Sequence, residues 1–239
     1  MKLFVLSEAN INDTVSDEIV SLVNRKRNCV LGLATGSTPI GVYKQLIKKY
    51  QNNEVTFKDV KTYNLDEYVG LSSNNEQSYH NFMRKVLFDY IDIDLDNTHV
   101  PDGEDVEKSL DSYDKDIENA GGIDLQILGI GSNGHIAFNE PGTPFDSLTH
   151  IVDLKETTIR DNSRFFKDIN EVPRQSITMG LASIMRAKKI ILIAKGENKA
   201  EVIRKLFQEE QSEDLPASIL KTHPNVDIYC DNLAAKYLK

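Results

Sequence analysis

The sequence predicts an α/β protein with a mainly parallel sheet that is covered by helices on both faces. Short apolar and β-branched runs recur along the chain, with helix-like stretches between most of them. Several runs are almost continuously apolar, as in Ile190–Ala194, which is typical of strands that are buried on both faces. With 239 residues and 40% hydrophobic content the chain can bury a sizeable core, and we expect one domain over residues 1–239.

The predicted elements alternate along the chain. Strands are predicted over residues 3–6, 29–34, 60–65, 123–130, 189–194 and 226–230. Helices are predicted over residues 11–27, 38–50, 78–90, 106–120, 199–208 and 233–238. The second and third helices each have one apolar face, because their apolar side chains recur three and four residues apart. Residues 141–168 are the least regular segment, and we predict that they form a mobile lid.

Composition limits the classes of partner. The chain has 37 acidic and 28 basic residues and a net charge of -9, which argues against broad contact with nucleic acid or an anionic membrane. An anionic ligand would need a locally built positive site. Neither a signal peptide nor a spanning helix is predicted, so we expect a cytoplasmic protein. Cys29 and Cys230 fall in apolar runs and are interpreted as small buried residues, although a disulfide between them is an alternative.

The segment after the second predicted strand has the residues of a phosphate site. Ligands of open α/β sheets bind beyond the carboxyl ends of the strands, and here that end carries Thr35, Gly36, Ser37 and Thr38 before Pro39. Backbone N–H groups and hydroxyls of such a loop can cradle a phosphate. The alternative is that Thr38 is an ordinary helix cap. The loop lacks the lysine and the spacing of a nucleotide P-loop, which favours a sugar phosphate.

Two further strand ends supply groups for proton transfer. Asp66 and Glu67 follow the third strand and should point in different directions; Asp66 can act as a base, or the pair can simply lie in a solvated loop. His135 follows glycines at the end of the fourth strand, with Glu140 close enough in sequence to orient it. A structural histidine is the alternative.

The same glycines imitate a dinucleotide fingerprint, with Gly129, Gly131 and Gly134 in the required spacing. A dinucleotide site needs a helix to start at the glycines, and Pro141 and Pro144 interrupt the chain too early for one. The glycines therefore favour close backbone approach to a ligand and orientation of the histidine.

Positive charge is predicted near the phosphate loop from Arg160, Arg164 and Lys199. Such side chains are usually solvated, but Lys199 falls where a helix begins after the Ile190–Ala194 strand. A phosphate-to-cation contact at ~4 Å is worth about 4 kcal/mol at an effective dielectric near 20, before desolvation costs. No metal-ligand spacing is visible among the five histidines and two cysteines.

These segments closely resemble the glucosamine-6-phosphate deaminases, also called glucosamine-6-phosphate isomerases. The match runs nearly end to end and is strongest in residues 64–71 (NLDEYVGL) and 134–141 (GHIAFNEP), supported by residues 34–39, 162–166 and 196–199. The related phosphogluconate lactonases share the glycine–histidine loop but not the first of these segments. The resemblance implies a modified Rossmann-like fold and a cofactor-free, metal-free reaction of amino-sugar catabolism, in which glucosamine 6-phosphate and water give fructose 6-phosphate and ammonia.

The resemblance also implies roles for individual residues. His135 would be the ring-opening base, assisted by Asn133 and Glu140, and Asp66 would move the C2 proton to C1. The implied phosphate contacts are Thr35, Gly36, Ser37, Thr38, Arg164 and Lys199. The chain departs from some members at Asn133, where they carry Asp, so His135 should depend more on Glu140.

The sequence also bears on regulation, on oligomeric state and on two alternative functions. Larger, allosterically activated members have basic residues where this chain has His150 and Val152, so activation by N-acetylglucosamine 6-phosphate is not expected. A homo-oligomer is possible within the family. A sugar-phosphate lactonase or plain isomerase is the first rival and would release no ammonia. The second rival is a sugar-phosphate sensor of a transcription regulator, which should carry an N-terminal helix-turn-helix before the first strand.

Overall fold

The structure is a computed structural model that describes residues 1–163, 166 and 168–238, apart from the side chains of residues 157, 161 and 162. These residues form the strands β1 (Lys2–Val5), β2 (Val30–Leu33), β3 (Lys61–Asn64), β4 (Asp66–Tyr68), β5 (Thr98–His99), β6 (Leu125–Gly129), β7 (His150–Asp153), β8 (Gln175–Thr178), β9 (Ile190–Ala194) and β10 (Val226–Cys230). They form the helices α1 (Glu8–Arg25), α2 (Ile40–Gln51), α3 (Tyr79–Val86), α4 (Val106–Asn119), α5 (Glu156–Asn162), α6 (Leu181–Met185) and α7 (Ala200–Gln208).

Seven strands form one sheet in the order β1-β10-β9-β6-β2-β3-β5. Every pairing in this sheet is parallel. The predicted parallel sheet is therefore confirmed, and the carboxyl ends of its strands share one edge. The loops that follow β2, β3, β6 and β9 meet at that edge.

Helices cover both faces of the sheet, as the sequence predicts. Alternate residues of β9 enter two separate cores because successive side chains of a strand point to opposite faces. Ile190, Leu192 and Ala194 pack in the core that includes side chains of α4, α6 and α7. Ile191 and Ile193 pack in the core that includes side chains of α1, α2 and α3. This double burial explains the continuously apolar sequence of β9.

A second, three-stranded antiparallel sheet has the order β4-β8-β7. The chain passes from one sheet to the other at Leu65, whose N–H donates to the Leu33 carbonyl at 3.2 Å and whose carbonyl accepts from Met179 N–H at 2.7 Å. The sequence does not predict this sheet, because its strands read DEY, HIVD and QSIT and lack the apolar run of most strands in the parallel sheet. It brings β7 and α5 into the segment that was predicted to be irregular.

All six predicted strands and five of the six predicted helices are present, with ends displaced by a few residues. The prediction of a helix over residues 233–238 is wrong. Lys236 N–H donates to the Leu233 carbonyl and Leu238 N–H to the Ala235 carbonyl, so this segment forms successive turns. Six residues are too few to offset the cost of starting a helix unless tertiary packing stabilises it.

The two cysteines are buried, as predicted, and both are free thiols. Cys230 ends β10 and Cys29 directly precedes β2. Burial raises the pKa of each thiol to about 12, so neither is a nucleophile at neutral pH. No helix in the described part of the chain is both long enough and apolar enough to cross a membrane.

Candidate active site

A cavity of about 260 Å³ lies at the carboxyl ends of the parallel strands. Seven of the ten residues to which the sequence analysis assigns a catalytic or phosphate-binding role line it: Thr35, Gly36, Ser37, Thr38, Asp66, His135 and Lys199. These residues come from the segments that follow β2, β3, β6 and β9, which are far apart in sequence. The parallel sheet therefore brings one carboxylate, one imidazole and one hydroxyl-rich loop around a single space.

The hydroxyl-rich loop connects β2 to α2. Gly36 has a φ of 79°, a left-handed conformation that favours glycine. The cap position of α2 is occupied by Pro39, and no side chain caps this helix. The ordinary-cap interpretation of Thr38 is therefore wrong, and its side chain instead lines the cavity. Lys199 approaches from the other side as the residue that directly precedes α7.

Asp66 begins β4 and is buried, with 6% of its surface exposed. Its short strand pairs with β8, which holds the carboxylate at the boundary between the two sheets. Burial, together with the negative charge of Glu67, raises the pKa of Asp66 to about 8. A carboxyl group with such a pKa is a much stronger base than an ordinary aspartate once it is ionised.

Glu67 points away from the cavity, as the sequence predicts for the second acid of the pair. Its carboxylate accepts hydrogen bonds from the backbone N–H groups of Tyr68, Tyr79 and His80, at 2.8, 2.9 and 3.1 Å. Burial raises the pKa of Glu67 to about 7, although these three bonds act in the opposite direction. Glu67 therefore anchors the start of α3.

His135 lies in the loop after β6, where the glycines make room for its ring. A Cβ atom on Gly131 would lie 2.4 Å from the imidazole. Gly134 has a φ of 91°, and a Cβ there would lie 2.3 Å from the side chain of Leu215. Residues 130–149 are all described and contain no helix, so this loop lacks the helix that a dinucleotide site requires.

Glu140 is the partner of His135. Its Oε1 atom lies 3.4 Å from Nδ1 of His135, and the carboxylate is buried behind the imidazole. Burial opposes ionisation of Glu140, but contact with His135 and hydrogen bonds from Thr158 and Asn133 outweigh it and lower its pKa to about 2. Glu140 is therefore ionised at neutral pH and accepts hydrogen bonds only.

Asn133 joins Glu140 to the histidine loop. Its Nδ2 atom donates to Oε2 of Glu140 at 2.6 Å, and its Oδ1 atom accepts from the backbone N–H of His135 at 3.2 Å. Asn133 and Glu140 do not line the cavity themselves. They lie behind His135 and fix its position.

Several cavity residues were missed by sequence reasoning. Tyr79, Ala137, Phe138, Thr158 and Asn198 also line the cavity. The ring of Tyr79 stacks on that of Phe138, with centroids 6.3 Å apart. Ala137 has a φ of 52°, which is uncommon for a residue other than glycine and occurs at functional sites. Ala137, Phe138 and Asn198 lie in segments that carry the family resemblance, but their side chains are uncharged and were not singled out.

The outcomes for Arg164 and for a metal site depend on which residues the structure describes. Arg164 lies outside the described residues, so the structure places five of the six predicted phosphate contacts around the cavity. In the described part of the chain, no group of three or more His, Cys, Asp or Glu side chains has the arrangement of a metal site.

The sequence matches a known family over residues 7–228, the glucosamine-6-phosphate isomerases and 6-phosphogluconolactonases. It is 50% identical over 227 residues to a glucosamine-6-phosphate deaminase from Oceanobacillus iheyensis, which covers 94% of this chain and 91% of the relative. It is 48% identical over 242 residues to a glucosamine-6-phosphate deaminase from Clostridium perfringens, with 100% of both chains covered.

Solved structures match the fold over nearly the whole chain. One is a monomeric glucosamine-6-phosphate deaminase, with a TM-score of 0.96 and 41% identity over 99% of each chain. Another is the 6-phosphogluconolactonase of Trypanosoma brucei, with a TM-score of 0.81 and 21% identity over 100% of this chain and 98% of the other. The second similarity concerns the fold alone.

Proposed function

Because this chain belongs to the family of glucosamine-6-phosphate isomerases and 6-phosphogluconolactonases, we propose that it is a glucosamine-6-phosphate deaminase. It converts glucosamine 6-phosphate and water to fructose 6-phosphate and ammonia in amino-sugar catabolism. The identity of about half of its residues with curated deaminases over 90% or more of the chain favours this reaction over lactone hydrolysis. The solved lactonases are similar only at about 20% identity.

The observation that carries the proposal is the shared cavity of Asp66 and His135. The two side chains follow different strands of the parallel sheet and line the same space as the loop of Thr35, Gly36, Ser37 and Thr38. A sugar phosphate bound with its phosphate in that loop can present its other end to both groups. An aldose–ketose isomerisation needs this arrangement, because the proton to be moved lies on a carbon remote from the phosphate.

Ring opening is the first step. With Nδ1 of His135 facing Glu140, its Nε2 atom takes the proton of the anomeric hydroxyl, and a proton is returned to the ring oxygen as the C1–O5 bond breaks. The ionised Glu140 stabilises the imidazolium that forms between these two transfers. Asn133 holds that carboxylate in place through its hydrogen bond to Oε2.

Proton transfer between carbons is the second step. Opening the ring exposes a carbonyl at C1, which makes the C2 proton acidic, and the ionised form of Asp66 removes it. The resulting enolamine receives the proton at C1 from Asp66. This gives an imine at C2, which water hydrolyses to the ketose and ammonia. The raised pKa of Asp66 increases its affinity for the proton that it must hold between the two carbons.

The phosphate is held at the other end of the cavity. The backbone N–H groups and hydroxyls of residues 35–38 surround it, and Lys199 supplies positive charge. Arg164, which lies outside the described residues, is the second cation that the family resemblance implies. This local charge offsets the net charge of -9, which would otherwise repel a dianionic substrate.

A coupled assay tests the reaction. The protein is incubated with glucosamine 6-phosphate, and fructose 6-phosphate and ammonia are measured in parallel, with and without N-acetylglucosamine 6-phosphate. We expect the two products in equal amounts and no activation by the acetylated sugar. Hydrolysis of 6-phosphogluconolactone without ammonia release from the amino sugar would instead identify a lactonase.

We also propose that the enzyme works as a single-domain monomer in the cytoplasm. The similarity to a monomeric deaminase over 99% of both chains favours a monomer over the homo-oligomer that the family allows. Analytical ultracentrifugation at assay concentrations tests whether the protein is a monomer.

A further inference from the structure

Thr158 makes a hydrogen bond that links helix α5 to Glu140. Its hydroxyl donates to Oε1 of Glu140 at 2.9 Å, across 18 positions of sequence. Both residues are buried, with 7% of Thr158 and 5% of Glu140 exposed. Thr158 also lines the cavity, so this bond is made at the wall of the site itself.

Thr158 is the third residue of α5 and lies in the first turn of this helix. It directs its hydroxyl out of α5 to a carboxylate of the neighbouring loop. If position 158 served packing alone, valine would fill it equally well, because valine has nearly the same shape as threonine. The bond to Glu140 needs the hydroxyl.

The acceptor atom is also the one that faces the histidine. Oε1 of Glu140 receives the Thr158 bond and lies 3.4 Å from Nδ1 of His135, whereas Oε2 receives the Asn133 bond. Asn133 and Thr158 therefore hold the two oxygens of the carboxylate from opposite segments. Removal of the Thr158 bond would leave Oε1 free to rotate away from the imidazole.

We propose that Thr158 is a positioning residue for ring opening, because its hydroxyl fixes the Glu140 carboxylate in the orientation that serves His135. The inference rests on the proposed deaminase function. Through this bond, the position of helix α5 determines how well the His135–Glu140 pair transfers protons during ring opening.

The test compares three variants of the full-length protein. Thr158→Val removes the hydroxyl at nearly constant shape, and Thr158→Ser restores it. Glu156→Gln is the matched control, since Glu156 lies on the same helix and its ion pair with Arg174 is exposed. Each variant is assayed for kcat and KM with glucosamine 6-phosphate, and thermal unfolding verifies that it folds.

Binding of 2-amino-2-deoxyglucitol 6-phosphate, an open-chain analogue with no ring to open, is measured in parallel. We expect Thr158→Val to lower kcat about 10- to 100-fold, in the range found for partners that orient a functional side chain. Thr158→Ser and Glu156→Gln should stay within about twofold of the parent in kcat, and the analogue should bind all variants about equally.

Three results would overturn the inference: wild-type kcat in Thr158→Val, equal loss in the Ser and Val variants, or a matching loss of analogue binding. The failure of the underlying function is distinguishable from all three. In that case the unmodified protein itself releases no ammonia from glucosamine 6-phosphate.

Discussion

Asn133 donates a hydrogen bond of 2.6 Å from its Nδ2 atom to Oε2 of Glu140. An amide is a donor at every pH, so this bond needs no shared proton between two acids. Glu140 can therefore stay ionised next to His135 across the whole neutral range. An Asp at this position would keep the same bond only if one of the two carboxyl groups were protonated.

Asn133→Asp should therefore make activity more sensitive to alkaline pH. Two carboxyl groups 2.6 Å apart keep the bond only while they share a proton, and that proton is lost as pH rises. We expect near-parent kcat/KM at pH 6 and a loss of about tenfold at pH 9, beyond any change in the parent. The pH–rate profiles of both proteins measure it, and parallel profiles would contradict the role of Asn133 as a permanent donor.

Asp66→Asn should abolish ketose formation while binding survives. The amide cannot accept the C2 proton, and loss of a positioned base costs about 10²- to 10⁴-fold in kcat. The phosphate loop is a separate segment, so the affinity for an open-chain sugar phosphate should change by less than about threefold. Turnover at the parent rate would show that another group removes the proton.

The pH dependence of the parent enzyme should reflect the pKa of Asp66. Its base form is required, and burial raises its pKa to about 8, so kcat/KM should rise with pH up to about that value. A flat profile between pH 6 and 9 would contradict this assignment.

The same shift predicts a stability difference between the parent and Asp66→Asn. A carboxyl group with a raised pKa in the folded state favours folding most at pH values below its unfolded pKa, and that contribution is lost as pH rises through about 8. Asparagine does not titrate. The melting temperature of the variant should therefore rise relative to that of the parent between pH 6 and 9. A difference that does not change with pH would contradict the raised pKa of Asp66.

Gly131→Ala should displace His135. The added Cβ would lie 2.4 Å from the imidazole, closer than real contacts allow, so the ring has to leave its position next to Glu140. A displacement of about 1 Å at a reacting group can cost about 100-fold in rate. We expect a loss of that order in kcat with binding of the open-chain analogue retained, and calorimetry should verify that the variant folds.

Lys199→Met should weaken substrate binding more than catalysis. The phosphate does not react, so its contact with a cation contributes equally to the ground state and the transition state. We expect KM to rise about 10- to 100-fold with kcat within about threefold of the parent. Inorganic phosphate, used as a competitive inhibitor, should lose affinity in parallel, and an unchanged inhibition constant would exclude Lys199 from the phosphate site.

Much of the fold could be predicted from the sequence because its strands have strong local signals. The run Ile190–Ala194 is apolar at every position, and the structure buries it on both faces. The strands β4, β7 and β8 were missed because they read DEY, HIVD and QSIT and lack such an apolar run. The prediction of a helix over residues 233–238 was wrong because this segment has a helical local pattern but is too short to form a stable helix.

By itself, the sequence determined which segments form the parallel strands. It also determined which residues follow the carboxyl ends of these strands and which chemical groups those residues carry. These features depend on neighbouring residues and on a general property of parallel sheets. Only the tertiary structure decided that Asp66 faces the cavity while Glu67 anchors α3, and that Thr158 and Asn133 hold the two oxygens of Glu140. Burial and hydrogen bonds between distant segments set these orientations and pKa values, and neither can be computed from local sequence.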